Sequence, residues 1–480
     1  MKIDEGLFIL FSASITSAAR KQNKDMCLRS ARLKEHEETN EIGINALNDD
    51  CLMHIMQYLP IVDRVRIERV SKRWQAISRD AWRGFKNLNF SNECWGFSTA
   101  KTLTKVDHVI IEKILKRCGK FLNLIWFSSD SNKKLNPNLL KNVAKFCPNV
   151  QHLDVWRICI SPKSWKALCK SCNNLISFAA SDCTDDELSL LFDNNKKLER
   201  LSVNNSEITG KCLRKLNCYS IESIMLVNCR NLKLDNFHVI RGFRNLKQLT
   251  LEEFYFQNVF AEDISSCYKS LKYLTLAYGY AESLHQIAKL INLRTLDLSN
   301  GPVDDELLVS IGVNCKLLKD VDITNCLQVT NTGLASIVSL PNLESLFVED
   351  LNNVDDEVFR AMPTLRQLDC SGCTNMQDAG LIKLIERSEN LEHVFLENCD
   401  YISNDLLEAA VKATKRRKNQ VMLKLHVGDK NIRRLKASVI SPFLPIFETI
   451  IDQSKRFYYT EHQSFVGSYP FVEVQKFTSP

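Results

Sequence analysis

A parallel α/β solenoid is the fold predicted for most of this 480-residue chain. Three observations predict it. A strand template, apolar-x-x-apolar-x-apolar, recurs in "LRTLDLSNGPVDDELLVSI", "LKDVDITNCLQVTNTGLASI", "LESLFVEDLNNVDDEVFRAM", "LRQLDCSGCTNMQDAGLIKL" and "LEHVFLENCDYISNDLLEAA". The spacing is regular: from Val150 to Leu391 ten steps cover 241 residues, about 24 per step. After each strand and turn comes a second apolar patch with helical spacing, so every unit carries a strand and a helix.

That period and template are those of leucine-rich repeats. The first apolar positions are Phe85, Leu122, Val150, Leu175, Leu198, Ile221, Leu246, Leu271, Leu293, Leu318, Leu343, Leu365, Leu391 and Met422. Positions 1, 4 and 6 of each strand point into a shared core, and positions 3, 5 and 7 toward the open side. One repeat cannot bury its own apolar face, so the repeats stack into a horseshoe with a parallel inner sheet and outer helices. The first two steps, of 37 and 28 residues, are longer, as an irregular beginning of an array requires. The segment "MLKLHV" closes the other end.

Three segments flank the array, which spans 84–427. Residues 1–43 read as a flexible arm; their short apolar run follows Asp4 and Glu5, which does not suit a secretory signal. Residues 44–83 form a small all-α module. Leu52, Ile55, Met56 and Leu59 draw one apolar stripe, Pro60 ends that helix, and Asp63 can cap a second one bearing Ile67, Val70, Trp74 and Ile77. Two or three short helices over some forty residues do not bury a core unaided. In the tail, 428–480, nine of 53 residues are Phe or Tyr, too many for a disordered segment. Ile446, Phe447, Ile450 and Ile451 fall on a helical stripe there, and Lys430, Arg433, Arg434 and Lys436 form a basic cluster. The tail is therefore expected to dock, into the groove or against the last repeats.

Composition narrows the function classes. A net charge of +6 is mild for this length and does not point to nucleic acid. No run of eighteen uncharged apolar residues is present to span a membrane. Of the 18 cysteines, Cys183, Cys229, Cys326, Cys373 and Cys399 lie three residues past position 6. Cys118, Cys147, Cys172, Cys218, Cys267 and Cys315 lie at the helix-to-strand return. These are small buried packing residues, and reduced thiols argue for cytoplasm or nucleus. The pairs Cys169/Cys172 and Cys370/Cys373 stand about eight repeats apart, too far for one zinc site. "KRRK" (Lys415 to Lys418) suits the C-terminal end of a helix, or a nuclear import signal. No phosphate loop, His-Glu-x-x-His helix or nucleophile elbow appears, so no catalytic residue, metal site or cofactor is expected.

The stretch "LNDDCLMHIMQYLPIVDRVRIERVSKRWQAISRDAW", Leu47 to Trp82, resembles an F-box, the helical module that docks a Skp-type adaptor in cullin-based ubiquitin ligases. The Leu59-Pro60 break, Asp63 and the "VSKRW" block carry the resemblance. Leu47-Asn48 stands where the family usually has Leu-Pro, and Ser71 where it more often has Cys. An F-box ahead of cysteine-containing repeats is similar to the F-box and leucine-rich-repeat family of substrate receptors. The resemblance implies a non-catalytic subunit that binds a Skp-type adaptor, and through it a cullin, and holds a target for ubiquitination and degradation. Leu47, Leu52, Ile55, Leu59, Pro60, Val70 and Trp74 would form the adaptor face. The alternative is that these side chains only cap the solenoid, leaving a binding scaffold or inhibitor unconnected with ubiquitin.

The target-binding surface is expected on the inner wall, at Trp126, Trp156, Asp297, Asp320, Asp322, Phe347, Glu349, Asp369, Phe395 and Glu397. Positions 3, 5 and 7 hold eight acids, including Asp154 and Glu252, and one strong base, Arg200. An acidic concave wall attracts a basic segment of a partner protein. Asp at position 5 can equally serve only to solvate the strand.

Overall fold

The computed structural model describes residues 44–90, 92–97, 106–127, 139–156, 158, 160–256, 260–281, 284–428, 444 and 446–449. The proposed N-terminal arm and most of the tail, including its basic cluster, lie outside the described residues. Contacts divide the chain into two compact units, Met1–Leu52 and Met53–Pro480. A 3-10 turn Ile44–Ala46 in the first leads into helix α1 (Asp49–Gln57), which runs across the boundary. The Asn48 side chain accepts the Cys51 amide at 2.8 Å, so the residue that replaces the expected Pro caps this helix.

Two helices follow α1, α2 (Ile61–Ile67) and α3 (Lys72–Ala81). They correct the single helix expected from the Ile67–Ile77 stripe. The chain leaves helical geometry between them, and Ser71 restarts it by accepting the Trp74 amide at 3.1 Å. Asp63 lies inside the first turn of α2, and Pro60 occupies its cap position without a side-chain bond.

The repeats build one fifteen-stranded parallel sheet in chain order. Its strands are β1 (Asn87–Asn89), β2 (Leu124–Trp126), β3 (His152–Val155), β4 (Ser177–Ser181), β5 (Arg200–Asn204), β6 (Ser223–Val227), β7 (Gln248–Glu252), β9 (Tyr273–Ala277), β11 (Thr295–Asp297), β12 (Asp320–Asp322), β13 (Ser345–Phe347), β14 (Gln367–Asp369), β15 (His393–Leu396), β16 (Lys424–Gly428) and β17 (Ile446–Thr449). Two further short strands, β8 (Tyr255–Phe256) and β10 (Tyr280–Ala281), pair beside it. The first apolar positions from Leu122 to Leu391 are all at most 2% exposed, so the template marks the core faithfully. At the C-terminal end the register slips by one: Met422 is exposed and Leu423 is buried in its place. Ile446–Thr449, expected on a helix, is a strand parallel to β16. The sheet edge offers β16's backbone groups a partner that an isolated helical turn does not.

The turn after each strand repeats one set of contacts. The eighth residue takes a left-handed conformation at Asp182, Asn205, Asn228, Asn300, Asn325, Asp350 and Asn398, and at Gly372. Asn, Asp and Gly tolerate that geometry best. There the backbone amide reaches the next repeat, as from Asn325 to the Glu349 carbonyl at 2.8 Å. Asn side chains extend the ladder, Asn205 to Asp182 at 2.7 Å and Asn228 to Asn205 at 3.0 Å.

The cysteine behind this turn donates its thiol inward to a carbonyl of the preceding repeat: Cys326 to Leu298, Cys373 to Val348 and Cys399 to Cys370. A small side chain with a weak donor fits a buried carbonyl without a void. The described cysteines are free thiols, and of the eleven assigned to packing only Cys218 is half-buried rather than buried. Burial pushes the Cys326 and Cys399 thiols up to about 12, which makes them unreactive.

Paired acids tie the helices. Asp304 caps the helix Asp305–Asn314, while Asp305 accepts the Thr330 and Gly333 amides at the start of the next one. The "DD" pairs of the sequence thus cap one helix directly and its neighbour laterally.

Candidate functional site

The first candidate surface belongs to the helical module. In the second unit Met56, Ile61, Ile67, Trp74, Ile77 and Trp82 are all buried, and in the first Leu52 is buried. Leu52 and Trp74, expected on the adaptor face, are therefore interior residues. Trp74 stands at the third position of α3, on the side where Ile77, Ser78 and Ala81 are buried. Leu47, Ile55, Leu59 and Pro60 are half-buried, Val70 is exposed, and Tyr58 is 74% exposed. The second unit thus presents Ile55, Tyr58, Leu59, Pro60 and Val70 as its apolar surface. Pro60 is backed by Gly96, whose φ of +78° leaves no room for a Cβ against the Pro60 ring.

Two charged residues that no motif announced hold this module. Arg64, in α2, is 4% exposed. Its guanidinium donates to the Leu59 carbonyl at 2.7 Å, to the Ala81 carbonyl at 3.3 Å and to the Gln57 carbonyl. It also lies over the Trp82 and Phe85 rings at 5.3 and 5.1 Å. Five N–H donors in one plane suit the carbonyl ends of two helices at once. Glu68 accepts the Trp82 indole at 3.1 Å and is gripped by Arg117 at 2.9–3.2 Å, fastening the module to the repeat helix His108–Cys118. Both signals were present as an Arg and a Glu on the otherwise apolar sides of short helices.

The second candidate surface is the open face of the sheet. Register aligns its position-5 residues Asp297, Asp322, Phe347, Asp369, Phe395 and His426 across β11 to β16. Glu252, Glu349 and Glu397 flank this row at position 7, and Asp320 at position 3. Phe347, Phe395 and the acids Asp320, Asp322, Glu349, Asp369 and Glu397 are half-buried and reach the surface. Phe395 and His426 stack at 4.1 Å, with His393 6.0 Å from Phe395.

Asp154 and Asp297 depart from the expected wall. Each is 2% exposed. Their carboxylates fold back onto the amides of Trp156 and Ser299 at 2.9 and 3.0 Å. Asp322 and Asp369 make the same bonds to Thr324 and Ser371. Position-5 Asp is therefore first a turn-forming residue. Burial pushes Asp154 up to about 7, and burial with the neighbouring Asp297 does the same to Glu252. Burial, then the charge of Asp297, raises Asp322; burial, then Glu349 and Glu397, raises Asp369. The wall is crowded with acids that a neighbouring cation would ionise.

The basic run after the last regular helix is partly structural. Arg417 is half-buried and donates to the carbonyls of Leu391, Ser388 and Val421.

Comparison with known proteins bears on the first surface. The F-box domain family matches residues 44–86. Human F-box/LRR-repeat protein 12 is 28% identical over 112 residues, covering 22% of this chain and 31% of that protein. Sheep (Ovis aries) F-box/LRR-repeat protein 21 is 22% identical over 244 residues, covering 49% and 52%. Residues 44–86 are thus an F-box, and the repeats that follow are of the leucine-rich kind. The Caenorhabditis elegans protein EEED8.10, provisionally named as RNA-binding, is 26% identical to this F-box protein over 403 residues, 76% of the chain and 51% of that relative. The chain spans about half or less of the length of these relatives. Among solved structures, a chain of the yeast Rad7 and Elc1 complex shares the fold, with a TM-score of 0.51 and 16% identity over 83% of this chain and 99% of that one.

Proposed function

We propose that this F-box and leucine-rich-repeat protein is the substrate-recognition adaptor of a Skp–cullin–F-box ubiquitin ligase. The observation that carries the proposal is the F-box match at residues 44–86 on a module that keeps Tyr58 and Val70 in solvent after closing its own core. Exposed apolar side chains on a short helical module are a docking surface for another polypeptide. The module takes a Skp-type adaptor, and a cullin through it; the open face of the repeats holds a target protein with a basic segment. The chain contributes proximity, raising the effective concentration of target lysines near an activated ubiquitin, and no chemistry of its own. Its buried, reduced thiols suit the cytoplasm or nucleus.

A second reading, a binding scaffold unconnected with ubiquitin, is separated by one experiment. The tagged full chain is purified from cells and the Skp-type adaptor quantified. Tyr58→Asp with Val70→Asp is expected to cut adaptor recovery at least about tenfold while leaving the melting temperature within about 2 °C, since both residues are exposed. A wild-type purification without the adaptor overturns the receptor reading in favour of the scaffold. RNA binding, in the name of the worm relative, is opposed on the repeats by an open face whose acids would repel phosphates.

A further inference from the structure

The N-terminal part of the open face carries a cluster unlike the acidic row. Trp126 on β2 stands in register with Asp154 on β3, and Asp154 with Ala179 on β4. Adjacent strands put these neighbours about 4.8 Å apart. Trp156 lies two residues beyond Asp154 and so on the same side of the sheet. The Asp154 Oδ1 is used by the Trp156 amide at 2.9 Å. Among the described residues its Oδ2 is buried with no hydrogen-bond partner, and so is the Trp126 Nε1. An acceptor without a donor and a donor without an acceptor thus sit side by side without meeting. Ser177, Ala179, Ser181 and Ser202 on the neighbouring strands are small and buried. Arg200, on β5, donates to Glu199 at 3.2 Å and to the Ser177 hydroxyl at 3.4 Å.

Buried polar atoms of this kind are rare in a folded protein and mark a place where a ligand completes the bonding. Oδ2 asks for a donor, preferably charged; Nε1 asks for an acceptor; two indoles favour a cation over their faces. Only one carboxylate oxygen is free, so the parallel two-bond grip of a guanidinium on a carboxylate is not available, whereas an ammonium needs a single acceptor. A lysine supplies a charged donor in its ammonium and an acceptor in a carbonyl of its own backbone. We propose that Trp126, Asp154 and Trp156 form an anchor pocket that takes one lysine side chain of the bound protein. The inference rests on the open face being the target-binding surface.

The test uses the full chain, with acetyl-Gly-Lys-Gly-amide as probe and its norleucine counterpart as control, read by tryptophan emission. Saturable binding of the lysine peptide and none of the control is expected. Asp154→Asn keeps an acceptor for the Trp156 amide and is expected to weaken binding at least about tenfold. Trp126→Phe keeps the ring but loses Nε1 and is expected to weaken it about threefold; it serves if the first variant fails to fold. Equal binding of the norleucine peptide, or unchanged binding by both variants, overturns the pocket. Adaptor recovery is measured on the same preparations. A chain that recovers the adaptor and ignores the lysine peptide loses the pocket alone, and one that binds the peptide without the adaptor loses the ligase reading alone.

Discussion

The helical module and the repeat array solve the same problem, burial of short amphipathic elements, by opposite means. In the array each strand and helix meets a near copy of itself. Its apolar positions, left-handed turns and inward thiols follow from spacing alone. In the module no element has a copy to lean on. Its three short helices converge on Arg64, whose donors gather the carbonyls of Gln57, Leu59 and Ala81, and on Glu68, held by Trp82 and Arg117. Repetition distributes stability over many equivalent contacts, whereas the module concentrates it in a few polar ones.

The largest effect expected from breaking this difference is at Arg64. Arg64→Ala takes the guanidinium from one buried and two part-buried carbonyls and is expected to destabilise the module by about 3 kcal/mol. Denaturant unfolding should then show an early transition and adaptor recovery should fall, while the repeat transition stays in place. A single cooperative shift of the whole chain would instead show that module and repeats stabilise each other.

An intermediate effect concerns pH and sharpens the comparison on the array's side. Asp154, with a folded pKa raised to about 7 by burial, binds its proton more tightly folded than unfolded. Its contribution is present below the unfolded value, near 3.9, and is lost as pH rises through about 7. The groups about it, the Trp156 amide, Trp126 and the half-buried His152, do not supply a compensating cation; burial, and then Arg200, lowers the pKa of His152. Between about pH 5 and 7 the chain is expected to lose up to about 1.4 kcal/mol per pH unit from this group. Asp154→Asn should flatten that slope by about one proton, measured as unfolding free energy against pH. An unchanged slope would mean that the carboxyl is hydrated and ionised throughout.

The smallest effect lies at a cap. Ser71→Ala removes the acceptor for the Trp74 amide and is expected to cost about 1 kcal/mol, with adaptor recovery reduced no more than that loss requires. A larger fall in recovery at equal stability would place Ser71 in the docking surface itself.

The two regions also differ in how much their sequence discloses. Leu318, Val321 and Ile323 announce a buried strand, and Cys326 its turn, because a period of about 24 residues repeats the same signal many times. The stripe Ile67, Val70, Trp74 and Ile77 misled: it continues at helical spacing across a break, and periodicity does not register the Ser71 cap that restarts the helix. The proposed adaptor face was legible as an apolar segment but not residue by residue. Leu52 and Trp74 turned inward while Tyr58, outside the expected set, turned out. On the open face, register put Phe347, Phe395, Asp320, Asp322, Glu349, Asp369 and Glu397 at half-buried positions that reach the surface, and left Asp154 and Asp297 buried. Whether an Asp there projects or folds onto its own turn was hidden, because both uses need the same side chain at the same position.

The sequence by itself determined the parallel solenoid, the identity of its core positions and the presence of an F-box ahead of it, since each depends on spacing between residues near in the chain. Tertiary structure alone decided which face of each F-box helix meets solvent, that Arg64 and Glu68 fasten the module, that Ile446–Thr449 extends the sheet, and that Asp154 and Trp126 lie adjacent with their bonding incomplete. Those outcomes depend on which surfaces are left uncovered once distant elements have packed, and burial is a property of the assembled chain rather than of any segment within it.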